Sequence, residues 1–157
     1  MRMPKEIQGN LVATGLKFAF VVSRFNSTVT DRLLEGAMDC VVRHGANPEE
    51  QAVIRVPGGW ELPLAVKAVL DRGGIDGVIA LGCVMKGQTT HNEYIAAESA
   101  KVLGSLSVER GIPVSFGVLM PATLEQALER SGLKMGNKGV EAAEAAIEMA
   151  NLLKQLV

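Results

Sequence analysis

Aromatic residues are scarce in this sequence, and three of the six are placed where a ligand could stack on them. Phe25 is followed by Asn26, the single Trp60 is followed by Glu61, and Phe116 lies in a later apolar run. An aromatic face stacks on a flat heterocycle, and a carboxylate accepts several hydrogen bonds. Taken singly, each aromatic is better explained as a core residue, and Glu61 is equally well explained by the dipole at a helix N-terminus. Together they predict a pocket for a flat, polar ligand.

A glycine-flanked loop from Gly82 to Thr89 (GCVMKGQT) precedes a predicted helix. Its spacing approaches that of a Walker A loop, but Gln88 occupies the position of the lysine that such a loop requires. We therefore do not expect a nucleoside triphosphate here. Free backbone N–H groups and the positive dipole end of the following helix suit a single phosphate, although an ordinary tight turn explains the loop equally well.

His91 follows this loop in the first turn of the predicted helix. An imidazole takes up and releases protons near neutral pH, so His91 is a candidate general acid and base. A lone histidine is more often structural or exposed, and His44, at the far end of another predicted helix, is expected to have no catalytic part. Arg130 lies roughly 10 Å along its predicted helix from the strand ends. That distance favours a surface or ion-pair role within its own subunit, but leaves a neighbour's phosphate within reach.

Four short apolar runs alternate with longer amphipathic segments. Strands are predicted at 17–22, 51–56, 77–81 and 113–118, and helices at about 28–44, from 62 to a break at 73, at 90–110, from 123, and at 140–157. Capping-box spacing places helix starts at Thr90 and Thr123. The alternation predicts an α/β fold, a three-layer sandwich with a four-stranded parallel sheet. Right-handed crossovers favour the flavodoxin-like strand order 2-1-3-4. A further strand at 7–12 does not continue the alternation, and we expect it to join a neighbouring subunit's sheet.

Ligands of open parallel sheets bind outside the carboxyl ends of the strands. Asn26 follows the first predicted strand, Glu61 the second and His91 the third, while Phe116 closes the fourth. The sheet therefore brings aromatic, acidic and histidine side chains to one edge.

Length and composition exclude several classes of protein. The 157 residues fit one domain, 1–157, and a net charge of -1 with mixed signs does not mark a nucleic-acid partner. No apolar stretch approaches the roughly 20 residues that span a bilayer, and residues 1–10 lack the apolar run of a secretory signal. Cys40 and Cys83 have apolar neighbours and no His/Cys spacing resembles a zinc site, so we expect reduced, buried thiols in a cytoplasmic protein without a metal.

Four motifs, in order and across nearly the whole chain, resemble those of the lumazine synthase family. They are Ser-Arg-Phe-Asn at 23–26, Val-Pro-Gly-Gly-Trp-Glu-Leu-Pro at 56–63, Gly-Cys-Val-Met-Lys-Gly-Gln-Thr-Thr-His at 82–91, and Glu-Gln-Ala-Leu-Glu-Arg-Ser-Gly-Leu-Lys-Met-Gly-Asn-Lys-Gly at 125–139. The resemblance implies a transferase of riboflavin biosynthesis. Its reaction condenses 5-amino-6-(D-ribitylamino)uracil with 3,4-dihydroxy-2-butanone 4-phosphate to give 6,7-dimethyl-8-ribityllumazine, phosphate and water, with no metal or redox cofactor.

The same resemblance implies a role for each matching residue. The pyrimidine ring stacks on Phe25 or Trp60, and its ribityl chain is held by Asn26 and Glu61. Gly59 belongs to the same substrate pocket, where the backbone of Cys83, Val84 and Met85 meets the uracil edge. The phosphate is cradled by Gln88 and Thr89, and protons are moved by His91. The adjacent subunit is expected to contribute Phe116, Arg130 and Lys138, which resolves the question of how Arg130 reaches a phosphate.

Three positions depart from the family pattern. The family often has arginine where this chain has Lys86, and charge alone survives that change. An aromatic residue commonly follows the catalytic histidine, where this chain has Asn92, so the packing around His91 is left open. Trp60 stands where phenylalanine or tyrosine is more usual, and it still stacks.

Several features indicate assembly with other copies of the chain. Apolar residues make up 48% of the sequence, at the upper end for a small domain, and Ala- and Gly-rich helices allow close approach. The joint between Arg130 and Asn137 is short, as in family members whose pentamers close into icosahedral shells. We therefore expect a homopentamer assembled into a 60-subunit shell, with riboflavin synthase as a candidate partner and small-molecule substrates.

Two other functions fit parts of the pattern. One is a shell or flavin-storage protein without catalysis, which loss of His91 or Arg130 would favour; both are present. The other is a flavodoxin-like flavin-binding module, which would need a Ser/Thr-rich phosphate loop after the first strand. Residues 23–26, Ser-Arg-Phe-Asn, do not form such a loop.

Overall fold

The computed structural model describes residues 2–86 and 90–157 of the chain. Four parallel strands form one sheet: β1 (Phe18–Ser23), β2 (Ala52–Val56), β3 (Gly77–Cys83) and β4 (Val114–Leu119). Their order is β2-β1-β3-β4, which confirms the predicted 2-1-3-4 arrangement. In the register, Val21 lies between Ile54 and Ala80, and Ala80 pairs in turn with Phe116.

β3 is longer than the sequence predicts, by the two residues Gly82 and Cys83. Glycine weakens a strand, and the sequence predicts that this strand ends at Leu81, before Gly82. Gly82 nevertheless stays in the ladder because it pairs with Val118, and Cys83 pairs with Leu119. The loop that follows therefore begins at Val84.

Helices cover both faces of the sheet, as predicted. They are α1 (Ser27–Arg43), α2 (Leu62–Arg72), α3 (His91–Arg110), α4 (Leu124–Glu129) and α5 (Lys138–Leu156). Successive strand residues point to opposite faces. Phe20 and Ile79 therefore join the apolar core under α1 and α5, whereas Val21 and Ala80 join the core under α2 and α3. The result is a three-layer α/β sandwich.

The two capping boxes predicted from sequence have different outcomes. Thr123 is extended (φ -134°, ψ 159°), and its side chain accepts a hydrogen bond from the Gln126 N–H at 3.1 Å, as predicted. Thr90 has helical angles (φ -74°, ψ -5°) and makes no capping bond, so the predicted cap at Thr90 is wrong. A cap residue must lie outside the helical region for its oxygen to face the free N–H groups.

The joint between α4 and α5 is a small hairpin of β5 (Ser131–Leu133) and β6 (Gly136–Asn137). The sequence predicts turns there and a helix that begins at Val140. α5 begins two residues earlier because the Asn137 side chain caps it, accepting hydrogen bonds from Gly139 N at 2.7 Å and Val140 N at 3.2 Å.

Residues 2–17 form no strand in this chain. Residues 8–12 lie against α5, where the Asn151 side chain donates to the carbonyl oxygens of Asn10 and Val12, both at 2.9 Å. The segment 7–12 is thus absent from the chain's own sheet, and its pairing with a neighbouring subunit stays a prediction. Throughout residues 2–86 and 90–157, no helix is both long and apolar enough to cross a membrane.

Candidate functional site

A cavity of about 560 Å³ opens at the carboxyl ends of β1, β2 and β3, against the first turns of α3. Eight residues selected from the sequence line it: Phe25, Gly59, Trp60, Glu61, Cys83, Val84, Met85 and His91. These residues come from three separate loops and one helix, so the sheet edge brings them together as predicted. The cavity is also lined by Gly58, Asn92, Tyr94 and Ile95.

Phe25 and Asn26 form the turn between β1 and α1. The Phe25 side chain is 69% exposed at the cavity edge, so its ring is accessible to a ligand. Asn26 adopts the left-handed conformation (φ 63°), which asparagine tolerates better than most residues. Its side-chain N–H donates to the Cys83 carbonyl oxygen at 3.0 Å, so Asn26 ties the end of β1 to the end of β3.

Trp60 and Glu61 belong to a one-turn 3₁₀ helix, Gly59–Glu61, between β2 and α2. The Gly59 carbonyl accepts a hydrogen bond from the buried Ser99 hydroxyl of α3 at 2.8 Å. Glu61 precedes α2 but makes no capping hydrogen bond with its side chain. Its half-buried carboxylate lines the cavity beside the N-terminus of α2. This position fits a ligand-binding role and equally fits an acid favoured by the helix dipole.

The segment after β3 is held by backbone hydrogen bonds to the end of β4. Val84 N donates to the Leu119 carbonyl at 2.8 Å, and Lys86 N donates to the Pro121 carbonyl at 2.9 Å. The Asn92 side chain donates to the Met85 carbonyl at 2.5 Å. Asn92, the departure from the family pattern, thus links the first turn of α3 to the segment that lines the cavity. The sequence does not reveal this hydrogen bond, because Met85 lies seven residues before Asn92, on the other side of a loop.

His91 is the first residue of α3, and its exposed side chain faces the cavity. Gln88 and Thr89, predicted to cradle a phosphate, lie outside the described residues. His44 is at the other end of α1, where its ring nitrogen donates to the Cys40 carbonyl oxygen at 2.6 Å. The same carbonyl also accepts the His44 backbone N–H at 3.1 Å, so the ring adds a second bond at the C-terminal end of the helix, in keeping with a structural role.

Both cysteines are free and buried, as predicted. Burial raises the pKa of Cys83 to about 11. Burial also raises the pKa of Cys40 to about 11, and the nearby carboxylates of Glu144 and Asp39 act in the same direction. Cys83 is therefore a neutral thiol at physiological pH, and its contribution to the cavity wall is apolar.

Phe116, Arg130 and Lys138 do not line this cavity. The prediction that Phe116 closes the fourth strand at the carboxyl edge is wrong, because Phe116 is the third of six residues in β4 and pairs with Ala80 in the middle of β3. A groove of about 490 Å³ beside β4 is lined by Phe116 and Lys138, and a second hollow of about 390 Å³ by Arg130 and Lys138. Arg130 follows the last residue of α4 and lines the second hollow with Met120 and Lys138, so its side chain is not among those that line the cavity of His91.

The fold and the cavity together define a class: flavodoxin-like α/β proteins that bind a ligand at the carboxyl edge of the sheet. Residues 15–154 match the family model for 6,7-dimethyl-8-ribityllumazine synthase. Relatives with that name include those of Aquifex aeolicus, 53% identical over 95% of this chain and 97% of the relative, and Chlorobaculum tepidum, 53% identical over 97% and 98%. The enzyme of Chloroherpeton thalassium is 51% identical over 97% and 98%.

This chain belongs to the 6,7-dimethyl-8-ribityllumazine synthase family. It is a transferase of riboflavin biosynthesis, and it acts on small molecules. It condenses 5-amino-6-(D-ribitylamino)uracil with 3,4-dihydroxy-2-butanone 4-phosphate to form 6,7-dimethyl-8-ribityllumazine, in the penultimate step of that pathway.

Proposed function

We propose that the condensation takes place in the cavity at the carboxyl ends of β1, β2 and β3. The observation that carries this proposal is the convergence of Phe25, Trp60, Glu61 and His91, four residues from distant parts of the sequence, on one hollow of about 560 Å³. Binding pockets for small molecules are typically apolar hollows of this size with a few polar groups. The aromatic walls of the cavity are assigned to binding of the pyrimidine, and the end of the cavity that holds His91 is assigned to proton transfer.

The pyrimidine ring is assigned to the exposed faces of Phe25 and Trp60. Glu61 and Asn26 are assigned to the ribityl hydroxyls. One N–H of the Asn26 amide is committed to the Cys83 carbonyl, but its oxygen and second N–H remain for a ligand. The backbone from Cys83 to Met85 is assigned to the uracil edge.

The phosphorylated ketone is assigned to the opposite end, beside the N-terminus of α3. Gln88 and Thr89 are proposed to bind its phosphate, where the helix dipole favours an anion. His91 is proposed to move protons in three steps: to the carbonyl oxygen that leaves as water when the imine forms, from the carbon that is deprotonated when phosphate leaves, and from the attacking amine to the second carbonyl oxygen, which leaves as water after ring closure. Holding both substrates together supplies much of the rate.

Phe116, Arg130 and Lys138 are proposed to complete the pocket of an adjacent subunit. Their position away from the chain's own cavity supports this assignment. Arg130 is exposed, and none of the ion pairs found among the described residues includes it, so its guanidinium is available to bind a phosphate. A head-to-tail interface closes into a ring when the rotation between subunits divides a full turn evenly, and we propose a homopentamer that assembles further into a 60-subunit shell.

The exposed edge of β2 supports a second contact between subunits. Four of its five residues are exposed or half-buried, including Val53 at 44%, although strands of parallel sheets are normally covered on both faces. We propose that segment 7–12 of a neighbouring copy pairs there.

Three further assignments complete the proposal. Riboflavin synthase is the candidate protein partner, and the proposed location of the enzyme is the cytoplasm. Residues 1–157 are proposed to form one domain.

Mixed oligomers test whether the pocket is shared between subunits. His91→Ala and Arg130→Ala are each expected to slow formation of the lumazine, followed by its absorbance and fluorescence. After denaturation and refolding of an equal mixture, about a quarter of the pockets in a head-to-tail ring combine an intact His91 with a neighbour's intact Arg130. Activity should then rise above that of either variant alone.

The control is the same mixture combined without refolding, in which each oligomer keeps one kind of chain. Equal activity before and after refolding would place His91 and Arg130 in the same subunit's pocket and end the shared-site proposal. The substrates separate the two roles further. Arg130→Ala should raise KM for the phosphorylated ketone far more than KM for the pyrimidine, because only the ketone carries a phosphate.

A further inference from the structure

Tyr94 is a cavity-lining residue to which the sequence motifs assign no role. Its ring lies against that of Trp60, with ring centroids 6.2 Å apart and planes inclined by 22°. We propose that Tyr94 is a positioning residue: it stacks on one side of the Trp60 indole and fixes its orientation, so that the other side receives the pyrimidine. The proposal rests on the pyrimidine site assigned above.

Helix geometry explains why Tyr94 reaches the cavity. Tyr94 is three residues after His91 in α3, and residues three apart lie on the same side of a helix. Both side chains line the cavity. The Tyr94 ring remains 58% exposed and the indole 54% exposed, so neither ring is held by burial in the core. The structure places the two rings in contact with each other.

The backbone beneath the two rings is already fixed. Ser99 of α3 binds the Gly59 carbonyl, and a Cβ at Gly59 would approach the side chain of Val84 to 2.9 Å and that of Ile95 in α3 to 3.5 Å, so a larger residue there would require Val84 to shift. The turn that carries Trp60 therefore lies firmly against α3. What remains free is rotation of the indole about its side-chain bonds, and a half-exposed side chain loses that freedom when it binds a ligand. A stacked tyrosine removes part of this cost beforehand.

The composition of the chain makes the contact measurable. The sequence holds one tryptophan and one tyrosine, so selectively excited tryptophan fluorescence reports the environment of Trp60 alone. We would compare Tyr94→Leu, which removes the ring but keeps an apolar, helix-forming side chain, with Tyr94→Phe, which keeps the ring and removes the hydroxyl. Both substitutions are at an exposed position, so they create no internal cavity.

We expect Tyr94→Leu in the assembled enzyme to raise KM for the pyrimidine about three- to tenfold, the range of a stacked aromatic pair. KM for the phosphorylated ketone should change less than twofold, since stacking does not involve the phosphate end. Quenching of Trp60 by acrylamide should increase in the same variant. Tyr94→Phe should restore both the lower KM and the weaker quenching.

Two results would overturn the proposal: unchanged pyrimidine KM and quenching in Tyr94→Leu, or an equal rise in KM for both substrates. Trp60→Leu separates this inference from the pyrimidine assignment itself. If Trp60→Leu leaves the pyrimidine KM unchanged, the assigned stacking is lost and Tyr94 loses its role with it. If Trp60→Leu raises that KM but Tyr94→Leu does not, only the positioning role fails. A double variant no worse than Trp60→Leu alone would confirm that Tyr94 acts through Trp60.

Discussion

Single side chains in this protein connect strand ends that are far apart in sequence. Asn26 is an example: its motif suggested a ligand-binding residue, and its amide also holds the Cys83 carbonyl 57 residues away. The left-handed turn at Asn26 is what turns the amide toward β3. Asn92 makes a shorter link, from the first turn of α3 to the Met85 carbonyl seven residues earlier. Motif spacing alone does not reveal such links, because each depends on the relative position of two loops.

The buried thiols predict a dependence of stability on alkaline pH. Cys40 has an ordinary pKa of 9.0, and in the folded chain burial raises it to about 11. The unfolded chain therefore loses this proton first as the pH rises. The contribution of Cys40 to the free energy of unfolding is complete below about pH 9 and is lost between about pH 9 and 11. The urea midpoint of unfolding should fall across that window.

Cys40→Ala is the matched control for this effect. Removing the thiol leaves Cys83 as the remaining buried thiol, so the fall in midpoint across the window should become smaller. The small cavity left by the substitution shifts the midpoint at every pH alike and does not change the slope. A variant whose midpoint falls as steeply as that of the parent protein would show that Cys40 does not titrate in this way.

Among the helices and strands, the sequence predicted those that follow a repeating apolar pattern and missed the features that depend on a single contact. Alternating apolar runs gave the four strands and their order, because burial on both faces of a parallel sheet leaves an unbroken apolar signal. The failed cap at Thr90 had the right spacing, but spacing does not report backbone angles. The hairpin of β5 and β6 is held mainly by neighbouring elements, so its few residues carry little periodicity of their own.

Asn137 is the residue that joins that hairpin to two helices. Its carbonyl oxygen caps α5 through Gly139 N and Val140 N, while its N–H donates to the Arg32 carbonyl of α1 at 3.0 Å. Asn137→Ala removes both functions and should lower the free energy of unfolding by about 1–2 kcal/mol. Urea unfolding of the variant and parent protein measures the difference.

Asn47→Ala provides the comparison, since Asn47 caps only the exposed 3₁₀ turn Pro48–Glu50 by accepting from Glu49 N. We expect its cost to be smaller than that of Asn137→Ala because no second element depends on it. Equal costs for the two substitutions would mean that the bond from Asn137 to α1 adds nothing to stability.

The position of the cavity within one chain was predictable from the sequence. Which subunit supplies the remaining residues of the proposed pocket was not. Parallel strands place their carboxyl ends at one edge, so Phe25, Trp60 and His91 had to meet there. Phe116 and Arg130 lie on other surfaces of the chain, and no rule of sheet topology says which copy's pocket they serve. That assignment depends on the geometry between subunits, which local sequence patterns do not encode.

The hairpin between Ser131 and Asn137 gives a way to separate assembly from catalysis. Its tip, Lys134 and Met135, is exposed, so inserting a few glycine and serine residues there should leave the chain's own core intact. The pocket proposed above needs only two adjacent subunits, whereas a shell needs the short joint to set the contacts between pentamers. We therefore expect the insertion variant to form free pentamers of roughly 83 kDa rather than shells of roughly 1 MDa. It should still produce the lumazine at a rate near that of the parent protein. Light scattering measures the mass of the assembly, and product fluorescence measures the rate.

The same insertion between Gly73 and Gly74, an exposed turn after α2, controls for added length, and it should preserve the shell. An insertion in the hairpin that abolished activity while pentamers remained intact would instead assign this joint to the catalytic pocket.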